Sequence, residues 1–169
     1  MNEILHEWNQ QEPDTATAAL LHCCASRRWA LGVTLLRPYT STEELLASAN
    51  RVWAAMQEPD WMEAFRAHPR IGDRKPAHAT AQSSAWSQQE QSATNTAEQN
   101  TLAQLAAGNL RYEELFGFTY IVCATGKSAD EMLAILERRL TSDRETELRE
   151  AAEQQRQITQ IRLRKWLQT

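Results

Sequence analysis

Glycine and proline are scarce, five of each in 169 residues. With Ala, Leu, Gln and Glu abundant, such a composition favours helices. Cysteine is scarcer still. Cys23, Cys24 and Cys123 are odd in number and lack CxxC or metal-ligand spacing, which points to reduced thiols in a cytosolic setting rather than a disulfide scaffold. Basic clusters are missing too. The net charge is −4 and no stretch is suited to track a phosphate backbone, so nucleic acid is not an expected partner. No run approaches the ~18 apolar residues of a membrane span. The start, MNEILHEWNQQEP, carries acids and no long apolar run, unlike a signal peptide, and the final LQT is not a peroxisomal address. Phosphate loops, nucleophile elbows and nucleotide fingerprints are absent. No histidine pairs at HxxxH or HxH spacing, so neither a metal nor an organic cofactor is signalled. What remains is a cytoplasmic helical chain. An anionic ligand would need a local positive pocket set into an acidic surface.

At this length the chain fits one domain, residues 1–169, able to bury a core without metal or disulfide support. TSTEELLASANRVWAAM (40–56) is the clearest helix: Leu45, Leu46, Ala49, Val52, Trp53 and Met56 recur at helical spacing, and Ser41 with Glu44 reads as a capping box. Pro59 closes that segment. DWMEAFRA (60–67) is a short helix running into His68 and ended by Pro69, because proline disfavours helical geometry in the residue before it. From Pro69 to about Ser84 the chain reads as irregular. Residues 84–108 read as a long helix with Gly108 as its C′ residue, and NLRYEELFG (109–117) as a further short one stopped by Gly117. FTYIVCA (118–124) has strand propensity but no second run to pair with, so it is expected to be a buried extended segment. SADEMLAILERRL (128–140) opens on the box Ser128-x-x-Glu131, and the last helix covers about 143–166. The expected fold is all-α, a bundle of six to eight helices with one buried extended segment.

Four places are hard to explain as scaffold. On the last helix, with Leu148 at 0° and about 100° per residue, Ala152 falls at about 40°, Leu163 at about 60° and Ile158 at about 280°. Arg162 falls at about 320°, inside that apolar face. An arginine there must find an anion or carbonyls, because an unpaired buried charge is costly; an internal salt bridge would answer as well as a ligand. His68 stands at a helix end with a proline behind it and Arg70 and Arg74 nearby. Histidine is the residue type suited to proton transfer at neutral pH, though a lone one is commonly a satisfied structural group. Ser87, Glu90 and Gln91 share one helix face at i, i+3, i+4 spacing, and a hydroxyl, a carboxylate and an amide converging there suit a polar small molecule; a plain helix cap reads the same. Finally, an unpaired extended TYIVCATG must satisfy its backbone groups, either through helix side chains or through an amide-rich heterocycle docking as a strand would.

Together, SRRWA (26–30), AHPRIGD (67–73), SQQEQ (87–91), FGFTYIVCATGKSADEML (116–133) and ELREAAEQQRQITQIRLRKWL (147–167) resemble the decarboxylases of 2-oxo-4-hydroxy-4-carboxy-5-ureidoimidazoline (OHCU) from urate degradation. They span most of the chain in order. Two departures stand out: EQSA (90–93) where an EQAG-like continuation is common, and Asn50 where an acid is frequent. The resemblance implies a homodimeric, all-α carboxy-lyase without metal or organic cofactor, converting OHCU to (S)-allantoin and CO2. It implies His68 as the acid/base group beside the leaving carboxylate, Glu90 holding ring hydroxyl or N–H groups, and Arg162 on an anionic edge of the substrate. Ser87, Gln88, Gln89 and Gln91 would contact substrate, the backbone of Tyr120, Ile121, Val122, Cys123 and Ala124 would read the planar ureido portion, and Pro69 would fix the loop behind the histidine, with Gly72 permitting a tight turn. Two rivals stay open: a hydrolase acting on a related ureide or hydantoin, and a non-enzymatic helical interaction module in which Arg162 and Glu90 simply pair.

Overall fold

The computed structural model describes residues 2–71, 82, 86–87 and 99–169. Among them lie eight helices and no strand: α1 Glu3–Gln10, α2 Pro13–Leu21, α3 Arg27–Leu35, α4 Thr42–Ala54, α5 Glu58–Arg66, α6 Gln99–Phe116, α7 Ala129–Arg139 and α8 Arg144–Trp166. The chain divides into two compact units, residues 1–64 with 156–169, and residues 65–155.

In the first unit α3 packs against both α2 and α4. Trp8 organises one end of its core. Its ring stacks on Tyr39 with centroids 6.0 Å apart and meets Trp166 edge-on at 5.7 Å, while its Nε1–H donates to Ala16 O at 3.0 Å. Trp29 satisfies its own indole on Ala49 O at 3.0 Å. Both indoles are thus buried with their N–H groups partnered, as burial requires. Helix α4 starts at Ser41, whose Oγ accepts from Glu44 N at 3.1 Å. The return half of the expected box is displaced by one residue, because Glu44 Oε2 accepts from Thr40 N at 2.8 Å. Pro59 does not close α4; it lies in the first turn of α5, where a missing N–H costs no helical bond.

In the second unit α6 packs on α7 over an aromatic cluster. Tyr112 sits 4.6 Å from Phe116, 5.7 Å from Phe118 and 5.4 Å from Tyr120 by ring centroids, and Phe65 joins at 5.5 Å from Phe118. Ser128 caps α7 with a complete box, its Oγ accepting from Glu131 N and the Glu131 carboxylate accepting from Ser128 N. Gly117, at φ +80, ends α6 in the left-handed conformation that glycine adopts without a Cβ penalty.

Gly108 has a different job from the one its sequence position indicates. The expected break between two helices is absent from the described stretch, and α6 runs straight through Gly108. A Cβ built there would meet Leu136 Cδ2 at 2.5 Å and Cγ at 3.3 Å, so the glycine exists to let α7 approach. Gly108→Ala should therefore miss the ~1 kcal/mol gain normally given by alanine in a helix and instead lower stability by about 1 kcal/mol through overpacking. In a Leu136→Ala background the same change should become neutral or stabilising. Urea midpoints of the four proteins in that cycle check both signs.

Candidate active site

His68 follows α5 directly. Its backbone N–H donates to Phe65 O at 3.1 Å, prolonging the last turn, and Pro69 prevents further helix. The side chain is half-buried, and its Nε2 lies 2.6 Å from Oε1 of Gln155, a fully buried residue of α8. An amide oxygen only accepts, so with that oxygen facing it Nε2 carries the proton. Beyond Pro69, Arg70 forks onto Glu113 of α6, Nε to Oε1 at 2.7 Å and Nη2 to Oε2 at 2.6 Å. Paired parallel bonds of this kind fix direction as well as distance. Arg70 therefore anchors the loop to α6, and the buried Ile71 helps it. Gly72, Asp73 and Arg74 lie outside the described residues.

Residues 119–124 are irregular, and Tyr120, Ile121, Val122, Cys123 and Ala124 are all buried, as the sequence leads one to expect. Helix side chains satisfy part of this backbone. Arg139 Nη1 donates to Ile121 O at 2.6 Å, Cys123 N donates to Gln154 Oε1 at 2.8 Å, and Lys127 Nζ donates to Cys123 O at 2.8 Å. At Cys123, then, both backbone groups already have protein partners. Gly126, at φ +77, closes the segment in a turn whose Lys127 N donates to Ala124 O at 3.0 Å.

A buried charge cluster holds this segment from behind. Arg139 Nε donates to Glu147 Oε2 at 2.8 Å with the two side chains 4% and 1% exposed. The Tyr112 hydroxyl donates to the same carboxylate oxygen at 2.5 Å, and the Arg139 guanidinium lies 4.9 Å from the Tyr120 ring centroid. Burial pushes the Tyr112 and Tyr120 hydroxyls well above the usual phenol range, against the pull of Arg139, so both remain donors at any working pH. The sequence reading missed these residues. Their signal was present nonetheless: Met132, Leu136 and Arg139 stand at i, i+4, i+7 on α7, which places the arginine in the helix's buried stripe.

Arg162 belongs to the first unit. It is 4% exposed, which confirms its place on the inner face of α8. Its charge acts on two buried thiols: burial raises Cys23 to about 12 and Cys24 to about 11, and Arg162 opposes both shifts. Arg149 and Arg164, on the same helix, are exposed. Asn50, one of the departures from the family pattern, accepts from Arg156 Nη1 at 3.3 Å. Trp86 and Ser87 are helical, so Ser87 is already past a cap position, and it is 5% exposed. Gln88, Gln89, Glu90 and Gln91 lie outside the described residues. No group of three or more His, Cys, Asp or Glu side chains is placed to hold a metal among the described residues, and none of the described helices is long and apolar enough to cross a membrane.

Helical throughout its described length, with an irregular buried segment and a histidine held from a long C-terminal helix, the chain has the architecture of a known helical decarboxylase. It superposes with a TM-score of 0.77 and 30% identity on a crystal structure of an OHCU decarboxylase in the presence of (S)-allantoin, covering 94% of this chain and all of that one. The model of the OHCU decarboxylase family matches residues 9–164, and this chain belongs to that family. An (S)-allantoin synthase shares the fold at a TM-score of 0.71 and 16% identity. Among relatives, the uric acid degradation bifunctional protein TTL of Arabidopsis thaliana is 35% identical over 144 residues, 85% of this chain. The OHCU decarboxylase of Haloferax volcanii is 28% identical over 130 residues, 75% of this chain and 73% of that protein. The chain spans 44% of the length of the Arabidopsis protein and 32% of that of the bifunctional protein PucL of Bacillus subtilis.

Proposed function

We propose that this chain decarboxylates OHCU to (S)-allantoin and CO2 in urate degradation. The observation that carries the reading is the likeness to an OHCU decarboxylase over the whole of that protein's length. The chemistry is consistent with what the residues offer. Breaking the bond to the carboxylate leaves an electron pair, and the conjugated C=N of the imidazoline ring accepts it. The ring is its own electron sink, so the reaction calls for no cofactor. The protein has to orient the carboxylate, stabilise developing charge and return a proton to one ring face.

In this reading His68 is the acid/base group beside the leaving carboxylate and the donor of the returning proton. Glu90 holds ring hydroxyl or N–H groups, and Arg162 binds an anionic edge of the substrate. Ser87, Gln88, Gln89 and Gln91 complete the polar contacts, and Pro69 keeps the histidine's loop rigid. The backbone of Tyr120–Ala124, through groups not already bonded to protein side chains as those of Cys123 are, reads the ureido plane. The working form is a cytoplasmic homodimer.

The test is chiral. OHCU is generated in situ from urate by the two preceding enzymes, the protein is added, and circular dichroism follows the allantoin formed. Rapid growth of the (S) signal is expected. Racemic product at the uncatalysed rate would sink the proposal and leave a binding module as the better account.

A further inference from the structure

Gln154 and Gln155 are neighbours on α8, and each reaches a different part of the candidate site. Gln155 Oε1 meets His68 Nε2 at 2.6 Å, and Gln154 Oε1 accepts from Cys123 N at 2.8 Å. Successive residues of a helix point about 100° apart, so one turn of α8 serves two elements that are far apart in sequence. The orientation of the Gln154 amide is set independently, because its Nε2 donates to Glu150 Oε1 at 2.9 Å and the oxygen is thereby turned toward Cys123. Gln155 is fully buried and, at about 340° on the wheel that puts Leu148 at 0°, occupies the middle of the apolar face. A leucine there would pack without any polar group to satisfy, whereas a buried amide is costly unless bonded. Its presence is accounted for by what its oxygen holds.

We infer that Gln154 and Gln155 are positioning residues for the decarboxylation, a reading that rests on the proposed function. Gln155 fixes the plane of the His68 ring and keeps its proton on Nε2. Gln154 fixes the height of the extended segment at Cys123, and with it the backbone that reads the substrate. Because the two glutamines are adjacent on one rigid helix, the spacing between the acid/base group and the substrate-reading backbone is set by α8 rather than by the loops that carry them. Neither glutamine needs to touch the substrate.

The two roles separate kinetically. Loss of the Gln155 contact disturbs the reacting group and should fall on kcat, whereas loss of the Gln154 contact disturbs ground-state and transition-state binding alike and should fall on KM. Gln155→Met keeps the volume and removes the acceptor; Gln155→Glu keeps an acceptor oxygen. Gln155→Met should lower kcat about 10–100-fold, the scale of a misplaced catalytic group, with KM changed less than about threefold. Gln154→Met should raise KM about tenfold with kcat nearly kept. A second readout needs no substrate. Long-range proton–nitrogen spectra of 15N-labelled protein, with the His68 signal assigned by its loss in His68→Gln, report which ring nitrogen is protonated. Wild type and Gln155→Glu should show the Nε2–H form, and Gln155→Met a mixture. Gln155→Met retaining both the Nε2–H form and wild-type kcat would overturn the inference, as would both methionine variants losing kcat and KM in the same proportion. A wild-type protein inactive on OHCU would defeat the proposed function, and the spectra would still decide whether Gln155 sets the histidine's proton.

Discussion

Arg139→Ala is expected to lower the stability of the protein by about 3–5 kcal/mol, the range for breaking a buried ion pair by deleting one partner. The size follows from what is stranded. Glu147 is 1% exposed and would keep only the Tyr112 hydroxyl of the partners described for it, while Ile121 O would lose its 2.6 Å donor. The net worth of the pair is a separate quantity. Replacing both residues, Arg139→Met with Glu147→Leu, removes the charges and their desolvation together, and the double variant should recover most of the loss. Urea denaturation of the four proteins closes the cycle. A single-variant loss below about 1 kcal/mol would show that water reaches the cluster and screens it. Faster amide exchange should follow Arg139→Ala around Ile121 before the rest of the second unit responds.

His68→Ala carries the largest expected effect on activity. In the proposed mechanism His68 is the acid/base group, and removing such a group costs about 10²–10⁴-fold in rate, so the (S)-allantoin signal should fall to near the uncatalysed course. The thermal midpoint should move far less than with Arg139→Ala, because the side chain is only half-buried and the described acceptor left behind, Gln155 Oε1, is an uncharged amide oxygen. That contrast is the point of the comparison with Arg139→Ala: one residue costs activity without stability, the other stability first. A His68→Ala protein that forms (S)-allantoin at the wild-type rate would remove the histidine from the chemistry.

Most of the helical frame is legible in the sequence, because capping serines and periodic apolar residues act locally. Ser128 and Glu131 form the box their spacing indicates, and Gly117 stops α6 where expected. The segment 118–124 is legible for a related reason: strand-forming residues with nothing to pair with have to be buried and extended. Gly108 misleads because a glycine's sequence context does not say whether it relieves a backbone angle or a contact, and here the contact is with Leu136, 28 positions away in the chain. The site is half legible. Arg162 stands out because a charge on an apolar face is conspicuous. Gln155, Arg139 and Glu147 occupy comparable buried positions on their helices and pass unnoticed, because an amide, a cation or an acid in a stretch rich in Gln, Glu and Arg blends into the exposed composition. Their partners, His68, Ile121 and Tyr112, lie too far along the chain for any spacing rule to link them.

The three buried thiols, none in a disulfide, have a use unrelated to the proposed reaction. Cys23 and Cys24 fall in the first unit and Cys123 in the second. Burial raises Cys23 to about 12 and Cys24 to about 11, so at mildly alkaline pH the folded chain offers a thiol reagent almost no thiolate there. Once the first unit opens, Cys23 and Cys24 return to the ordinary pKa of about 8.5 and react, and Cys123, buried in the folded second unit, is exposed to the reagent when that unit opens. The rate at which each site is labelled then clocks the opening of its own unit, and the untouched wild-type chain carries a separate stopwatch for each half.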